Sequence, residues 1–173
     1  MQDMMAIVEP LIPSLRRYAR SLLRDQVSAD DLVQDCLERV IGRWHQRRAD
    51  GDARTWVFTI LHNLAINRMR QTARRGVHVP ADDTRETAFA TPPTQEDQLH
   101  HQAALTALAA LPEDQRSVLL LIGVEDLSYA EAAAVLGVPL GTVMSRLSRA
   151  RQRLAQLIEA RSATTGPGLR RVK

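Results

Sequence analysis

One stretch of the chain, Gly76–Asp97, interrupts an otherwise regular pattern of apolar residues and divides the sequence into two parts. It contains three prolines, is rich in Thr and Asp, and shows no apolar period. Such a composition is typical of an extended linker between folding units. We therefore expect two small domains, a flexible linker and a disordered tail. Their expected limits are 1–76 for the first domain, 77–97 for the linker, 98–161 for the second domain and 162–173 for the tail.

The composition of both parts favours helices. Hydrophobic residues make up 45% of the 173 residues but aromatic residues only 3%, so the core must consist mainly of Leu, Val, Ile and Ala. Such a core suits helices better than a sheet, and we expect an all-α fold. No apolar run approaches the roughly 20 residues that span a bilayer, and no secretion signal is visible. The chain is therefore expected to be cytoplasmic, without membrane insertion.

Three helices are predicted in the first part. Apolar residues recur at steps of three and four in 14–24, which predicts one helix. A second helix is expected to begin with Ser28 as its N-cap, with an apolar face from Val33 to Trp44 and an acidic face opposite. A third is expected at 53–74, with Trp56 in the core. One side of this third helix carries Asn63, Asn67, Arg70 and Arg74.

The second part contains the pattern of a helix–turn–helix motif. Ser128 and Glu131 form a capping-box pattern that opens a short helix, and Gly137 is suited to end it. A longer helix then starts near Pro139. This motif places its second helix in the major groove of DNA. Two earlier helices are expected at 99–111 and 112–123.

The second helix of this motif has the two faces that DNA reading requires. Val143, Leu147 and Ala150 lie within about a 60° arc at 100° per residue, and short polar or cationic side chains point the other way. An ordinary amphipathic helix with solvated arginines has the same period, but the cap, the glycine turn and the small polar residues favour DNA binding. Arg149 can contact guanine or a phosphate. The candidate DNA contacts are Thr142, Ser145, Arg146, Ser148, Arg149 and Arg153.

The distribution of charge agrees with an anionic partner. Residues 1–75 hold 13 basic and 9 acidic residues, and 116–173 hold 9 basic and 4 acidic residues, whereas 76–115 hold 1 basic and 7 acidic residues. Two basic segments thus flank an acidic one. A solvated surface explains such counts about as well, so charge alone does not decide the partner.

The second part resembles region four of bacterial sigma factors. The resemblance rests on Leu111–Arg116, Leu127–Ala133 and Val138–Arg151, the last of which follows the family pattern V-P-x-G-T-V-K/R-S-R-L-x-R-A-R. Met144 stands where that pattern has a basic residue. This difference removes one potential phosphate or base contact.

The first part resembles region two of the same family. Asp31–Asp35 is similar to the signature D-h-V-Q-E/D, and Arg54–Asn67 is similar to x-x-W-L-Y-R-I-A-x-N-x-A-x-D/N. In the family, the first helix docks on a coiled coil of the largest polymerase subunit. The second helix and the loop before it hold the minus-ten promoter strand after melting. Because only a linker separates the two regions, the chain resembles the extracytoplasmic-function group.

The resemblance implies a sigma factor that binds core RNA polymerase and promoter DNA and directs promoter-specific transcription initiation. It also implies an anti-sigma factor as a partner, a response to stress or another signal, no enzymatic activity, no cofactor and no metal. The implied polymerase contacts are Asp31, Leu32, Gln34, Asp35 and Glu38. The implied minus-ten contacts are Arg54, Asn63, Asn67, Arg70 and Arg74. The helix–turn–helix contacts would read the minus-thirty-five element.

Three other interpretations remain open. A helix–turn–helix regulator acting without polymerase would not need the Asp31–Asp35 signature. A sigma-like decoy that binds an anti-sigma factor would leave the arginines of both DNA-binding helices without a role, and no receiver domain accompanies it here. An enzyme is disfavoured because no cysteine or paired carboxylate is spaced to complete a site with His100–His101. For Asn63, the alternative is a buried structural asparagine.

Overall fold

The structure is a computed structural model that describes residues 2–48, 51–76 and 103–165. Every regular element among these residues is a helix, which confirms the expected all-α class. Short 3-10 turns, Glu9–Leu11 and Trp44–Gln46, follow the first and third α-helices, and residues 103–109 are also helical. The predicted linker at 77–97 lies outside the described residues. The α-helices are α1 Gln2–Val8, α2 Ile12–Leu23, α3 Gln26–Arg43, α4 Ala53–Arg74, α5 Glu113–Gly123, α6 Tyr129–Leu136 and α7 Leu140–Thr165.

The N-terminus of the chain forms a helix that the periodicity did not predict. α1 precedes the first predicted helix, and its Met4 and Val8 are buried in the core. α2 buries the four residues that the apolar spacing indicated, which are Leu15, Tyr18, Ala19 and Leu22. The sequence therefore predicted the buried face of α2 correctly, although the helix begins two residues earlier than expected.

The turn between α2 and α3 corrects one predicted cap. Arg24 takes the left-handed conformation (φ 62°) and ends α2. The N-cap of α3 is Asp25, whose carboxylate accepts a hydrogen bond from the backbone N–H of Ser28 at 2.9 Å. Ser28 therefore lies inside the first turn and is not the cap. A carboxylate suits this position because it accepts from the free N–H groups and faces the positive end of the helix dipole.

α4 spans the predicted residues but buries more of its surface than its periodicity indicates. It packs against α2 and α3 on one side and against α6 on another. The apolar spacing of the sequence places Ala53, Trp56, Val57, Ile60 and Leu64 on the buried side of this helix. Phe58, Leu61 and Ala65 lie outside that set, yet they are fully buried. Trp56 is only half-buried, and its ring meets that of Trp44 edge to face at 6.0 Å between centroids. Contact on two sides explains why α4 has no single clean apolar face.

The second half folds largely as its local signals predict. The capping box of Ser128 and Glu131 is present, and Gly137 ends α6 in the left-handed conformation (φ 64°). α7 continues to Thr165, so the first four residues of the predicted tail belong to this helix. The rest of the predicted tail, 166–173, lies outside the described residues.

The two halves of the chain pack against each other. α2 contacts α5, and α4 contacts α6. One continuous group of buried apolar side chains runs through both halves, including Leu15 and Phe58 from the first half and Val118 and Val135 from the second. The shared core fixes the position of the candidate binding faces described next.

Candidate nucleic-acid interface

The outer face of α3 is acidic and exposed, as the sequence indicated. Asp31, Gln34, Asp35 and Glu38 are all exposed, and Gln34 donates from Nε2 to Oε1 of Glu38 over 3.2 Å. Leu32 differs from these four residues. It is only 1% exposed and belongs to the core. Leu32 therefore cannot contact a partner directly in this arrangement, which corrects its assignment as a contact residue.

Arg68 of α4 connects this acidic face to the neighbouring helix. Its Nη2 lies 3.5 Å from Oδ2 of Asp35, and its Nη1 donates to the backbone oxygen of Ser28 over 2.7 Å. The Asp35 side chain remains 50% exposed. The pair thus orients α3 against α4 while leaving Asp35 accessible.

α4 presents the predicted polar side to solvent. Asn63, Asn67, Arg70 and Arg74 are exposed. Because Asn63 is exposed, the alternative of a buried structural asparagine is wrong. Side-chain amides offer both a donor and an acceptor, and guanidinium groups bind phosphates, so this side can contact bases and backbone of a single strand.

His62, which precedes Asn63, points into the protein instead. It is 7% exposed, and its Nδ1 lies 3.0 Å from the hydroxyl oxygen of Tyr18. Burial lowers the pKa of His62 to about 4. The imidazole is therefore neutral at neutral pH and accepts or donates one hydrogen bond inside the first half.

Cys36 and Tyr18 are likewise kept neutral by burial. Burial raises the pKa of the Cys36 thiol to about 12, and the thiol donates to the backbone oxygen of Val57 over 3.8 Å. Burial also raises the pKa of Tyr18 above its ordinary value. These groups stabilise the interior and have no accessible reactive form.

Arg54 does not lie with the other predicted minus-ten contacts. Its Nη2 donates to the backbone oxygen of Glu125 in the second half, and its guanidinium carbon lies 5.8 Å from the ring centroid of Phe58. In the packed arrangement Arg54 is therefore engaged inside the protein, so it is not available to DNA as the sequence suggested.

Arg17 and Glu125 form a contact that sequence reasoning missed. The Nε and Nη2 of Arg17 donate to the two carboxylate oxygens of Glu125 at 2.8 and 2.7 Å. Glu125 is 1% exposed. No local signal in the sequence marks this pair, because the two residues are 108 positions apart.

The predicted recognition helix, α7, presents some but not all of its candidate contacts. Ser148, Arg149 and Arg153 are exposed. Ser145 donates from Oγ to the backbone oxygen of Thr142 over 3.1 Å, and both are half-buried. The Nε of Arg146 lies 3.4 Å from Oδ2 of Asp114, so that arginine helps to hold α7 against α5.

Met144 lies at the edge of the exposed face of α7. It is 52% exposed. A shallow groove of about 270 Å³ lies beside it, lined by Tyr129, Met144, Leu147, Ser148, Arg151 and Gln152. An apolar side chain thus replaces a cation at this edge, while the neighbouring Ser148 and Arg149 remain available to DNA.

The described residues contain neither a candidate metal site nor a candidate membrane-spanning helix. These residues contain no group of three or more His, Cys, Asp or Glu side chains that could hold a metal ion. None of the helices within 2–48, 51–76 and 103–165 combines the length and the apolar character that crossing a membrane requires.

Comparison with known proteins identifies the family to which both halves of the chain belong. Residues 8–62 match the family model described as the Sigma2 domain of PhyR, and residues 101–154 match Sigma-70, region 4. The ECF RNA polymerase sigma factor EcfG of Rhodopseudomonas palustris is 37% identical over 147 residues, which cover 85% of this chain and 80% of the relative. SigC of Mycobacterium tuberculosis, another ECF sigma factor, is 37% identical over 139 residues, covering 76% of this chain and 71% of the relative.

A solved structure supports the same assignment. The sigma factor RpoE of Bartonella quintana, in complex with the anti-sigma factor NepR, superposes with a TM-score of 0.80 at 32% identity. The match covers 92% of this chain and 98% of that one. A sigma-2 unit followed by a region 4 unit is the architecture of a bacterial RNA polymerase sigma factor. The chain belongs to the extracytoplasmic-function (ECF) group of these sigma factors.

Proposed function

We propose that this chain binds core RNA polymerase, directs promoter-specific transcription initiation and is held by an anti-sigma factor until a signal releases it. The observation that carries the proposal is the presence of three separate exposed polar faces, on α3, α4 and α7. One face is acidic and two carry arginines. Each has the chemistry of a different partner, namely polymerase, melted promoter strand and promoter duplex.

The α3 face is the proposed polymerase contact. Asp31, Gln34, Asp35 and Glu38 present carboxylates and an amide that suit a basic helix of the partner. Complementary charge of this kind speeds association and sets the orientation of the complex. Leu32 supports the face from beneath by fixing α3 against the core.

The α4 face is the proposed contact with the melted minus-ten strand. Asn63 and Asn67 would read base edges, and Arg70 and Arg74 would bind backbone phosphates. Unstacked bases expose the edges that duplex DNA hides, so amide groups at the surface can discriminate between them.

The α7 face is the proposed contact with the minus-thirty-five duplex. Arg149 would bind guanine through two hydrogen bonds, and Arg153 would bind a phosphate. Ser148 is short enough to allow close approach. Thr142, Ser145 and Arg146 are half-buried, and we assign them the support of α7 with at most a marginal DNA contact.

The anti-sigma proposal rests on a relative. The RpoE protein of Bartonella quintana was solved in complex with the anti-sigma factor NepR, and it matches this chain over nearly its whole length. We infer that an anti-sigma factor binds this chain too, which would keep it away from polymerase.

Run-off transcription tests the main proposal. Core RNA polymerase is incubated with promoter DNA in the presence or absence of the chain. We expect a transcript of defined length only when the chain is present, and addition of the variant Asp31→Arg with Asp35→Arg should give none. No transcript from any of a set of genomic promoter fragments with the wild-type chain would contradict the proposal.

A sigma-like decoy is the second candidate function. It is favoured by one observation, which is that the N-terminal half matches a model built on PhyR, a protein that another solved structure describes as an anti-anti-sigma factor. A decoy would yield no transcript with core polymerase but would restore transcription by a different sigma factor inhibited by the anti-sigma factor. The same transcription assay therefore separates the two functions.

A further inference from the structure

A shallow apolar groove lies between the two helices of the helix–turn–helix motif. It is lined by two large apolar side chains that are exposed, Tyr129 of α6 at 38% and Met144 of α7 at 52%. Leu147, which is buried in the core, also lines the groove. Tyr129 and Met144 are exposed while the two halves are packed together, so the groove does not depend on any separation of the halves. The remaining lining residues are Ser148, Arg151 and Gln152.

Met144 lies in the part of α7 that contacts bases in this motif. It is the fifth residue of α7, which begins at Leu140, and the N-terminal residues of the second helix contact base edges in the major groove. Ser148 lies one turn further along on the same side of the helix, is exposed, and is short enough to let DNA approach closely. Methionine is long and has three rotatable bonds, so the Met144 side chain can extend beyond this serine to a base pair.

Exposed cations accompany the groove. Arg151 lines it, and Arg149 and Arg153 are exposed on the same stretch of α7. An apolar protein surface seated on the groove would remove the Arg151 guanidinium from water without offering it an acceptor, which is unfavourable. The phosphates that border a major groove supply such acceptors. An apolar groove with arginines beside it therefore fits duplex DNA better than an apolar protein partner.

The chemistry of the groove selects one feature of the base pairs. Among the four unmodified bases, only thymine presents an apolar group in the major groove, its C5-methyl group. The basic residue that the family pattern has at position 144 would instead favour the acceptors of guanine or a phosphate. The Met144 side chain has no N–H or O–H to donate, and its thioether and terminal methyl group are apolar. Thymine is therefore the base whose edge matches the groove.

We propose that Met144 is a specificity-determining residue, which packs with Tyr129 against the C5-methyl group of one thymine in the minus-thirty-five element. This assignment rests on the proposed function, since it requires α7 to lie in the major groove of that element. Met144 thereby replaces a contact based on charge with one based on shape and burial of apolar surface. The base pair that it meets is selected as thymine over cytosine, which carries no methyl group at the same position.

Removal of single methyl groups from the promoter tests this contact. Each thymine of the minus-thirty-five element, on either strand, is replaced in turn by uracil, which keeps the hydrogen-bonding edge and lacks only the methyl group. Binding of the holoenzyme to each promoter is measured at one salt concentration. We expect one uracil to weaken binding by the wild-type holoenzyme about fourfold, the effect of exposing one methyl-sized group to water.

Variants of position 144 show whether that residue senses the methyl group. Met144→Ala should bind the thymine and uracil promoters equally, because it no longer reaches the base. Met144→Leu should retain most of the difference, since leucine also presents methyl groups to the groove. The matched control is Met5→Ala, which removes another exposed methionine, 45% exposed in α1, and should keep the full uracil effect. Thermal unfolding confirms that each variant is folded.

A second arm adds the methyl group to a different base. At the position that the uracil series identifies, the thymine is replaced by cytosine or by 5-methylcytosine, each paired with guanine. The wild-type holoenzyme should bind the 5-methylcytosine promoter about fourfold more tightly than the cytosine promoter. Met144→Ala should bind the two equally. Equal binding of both promoters by the wild type would overturn the methyl contact.

Failure of this contact is distinguishable from failure of the proposed function. Wild-type holoenzyme that binds promoters equally with and without the minus-thirty-five element would contradict the proposed role of α7 itself. Binding that depends on the element, but that no uracil weakens, would overturn the methyl contact alone. A uracil effect that persists undiminished in Met144→Ala would show that another residue meets the methyl group, which also overturns the assignment to Met144.

Discussion

In the C-terminal half, α6 is fixed at both ends by contacts between near neighbours in sequence, whereas the N-terminal half also joins distant helices through buried polar groups. In the C-terminal half, Ser128 and Glu131 cap α6 reciprocally and Gly137 ends it. In the N-terminal half, the Tyr18 hydroxyl meets His62 across 44 positions of sequence. This difference indicates that local substitutions will perturb the second half, whereas changes in burial or protonation will perturb the first.

The largest expected effect is on the free energy of unfolding, which should distinguish a core residue of α3 from its surface residues. Leu32→Ala should lower the free energy of unfolding by about 2–5 kcal/mol, because it leaves a cavity beneath the acidic face. Asp31→Arg with Asp35→Arg should change that free energy by less than about 1 kcal/mol, since both side chains are exposed and the Asp35–Arg68 pair is at the surface. Chemical denaturation measures both variants.

Loss of polymerase binding should follow the opposite order from loss of stability, with the double arginine variant affected more than Leu32→Ala. The double arginine variant should no longer co-purify with core polymerase, although it is folded. Glu9→Arg with Glu159→Arg changes the net charge equally at exposed positions away from α3 and should co-purify normally. Normal co-purification of the Asp31 and Asp35 variant would show that polymerase docks elsewhere.

The next effect is a dependence of stability on pH that originates in His62. Its pKa is about 4 in the folded protein against an ordinary value of 6.5. The unfolded chain therefore binds a proton first as the pH falls, and stability is lost from pH 6.5 down to about 4. Between pH 7 and pH 5 the loss should be about 2 kcal/mol.

Denaturation of His62→Gln at the two pH values checks this contribution. Glutamine does not titrate, so the variant should lose about 2 kcal/mol less than the wild type over the same interval. Equal pH dependence of the wild type and this variant would mean that His62 is accessible to protons in the folded state, contrary to its burial.

The smallest expected effect concerns the cap of α6. Ser128→Ala removes the side-chain acceptor for the Glu131 backbone N–H and should cost about 1 kcal/mol. Ser21→Ala, in the last turn of α2, removes no side-chain cap and should leave stability unchanged or slightly higher, because alanine is a better helix former. Thermal unfolding of both variants makes the comparison. A similar melting temperature for Ser128→Ala and the wild type would show that the capping box contributes little.

The contrast between the halves also explains which features could be predicted from sequence. Gly137 and the Ser128–Glu131 box are local signals, and both were predicted correctly. The Ser28 cap was predicted wrongly because Asp25, three residues earlier, is an equally good acceptor, and only the backbone conformation decides between them. Periodicity identified the buried residues of α2 because one side of that helix faces the core.

Other features depend on contacts that no local pattern encodes. Leu32 was assigned to the polymerase contact because it lies within the Asp31–Asp35 signature, yet its side chain points to the core. Arg54 matches the minus-ten motif in sequence, but it meets Glu125, which lies 71 positions away. The apolar spacing of α4 does not reveal which of its residues are buried, because other helices pack against it on two sides. Such errors arise where tertiary packing, rather than local propensity, determines the environment of a side chain.

One measurement tests most directly the central claim that α4 reads melted DNA while α7 reads duplex. Open-complex formation by holoenzyme is measured on a native promoter and on the same promoter mismatched across the minus-ten region, with Asn63→Ala and Arg149→Ala. We predict that Asn63→Ala stays defective on the mismatched promoter, because it no longer reads the exposed strand. Arg149→Ala should be defective only on promoters that carry the minus-thirty-five element, whether or not they are mismatched. Full recovery of Asn63→Ala on the mismatched promoter, or a defect of Arg149→Ala that is independent of the element, would contradict the account.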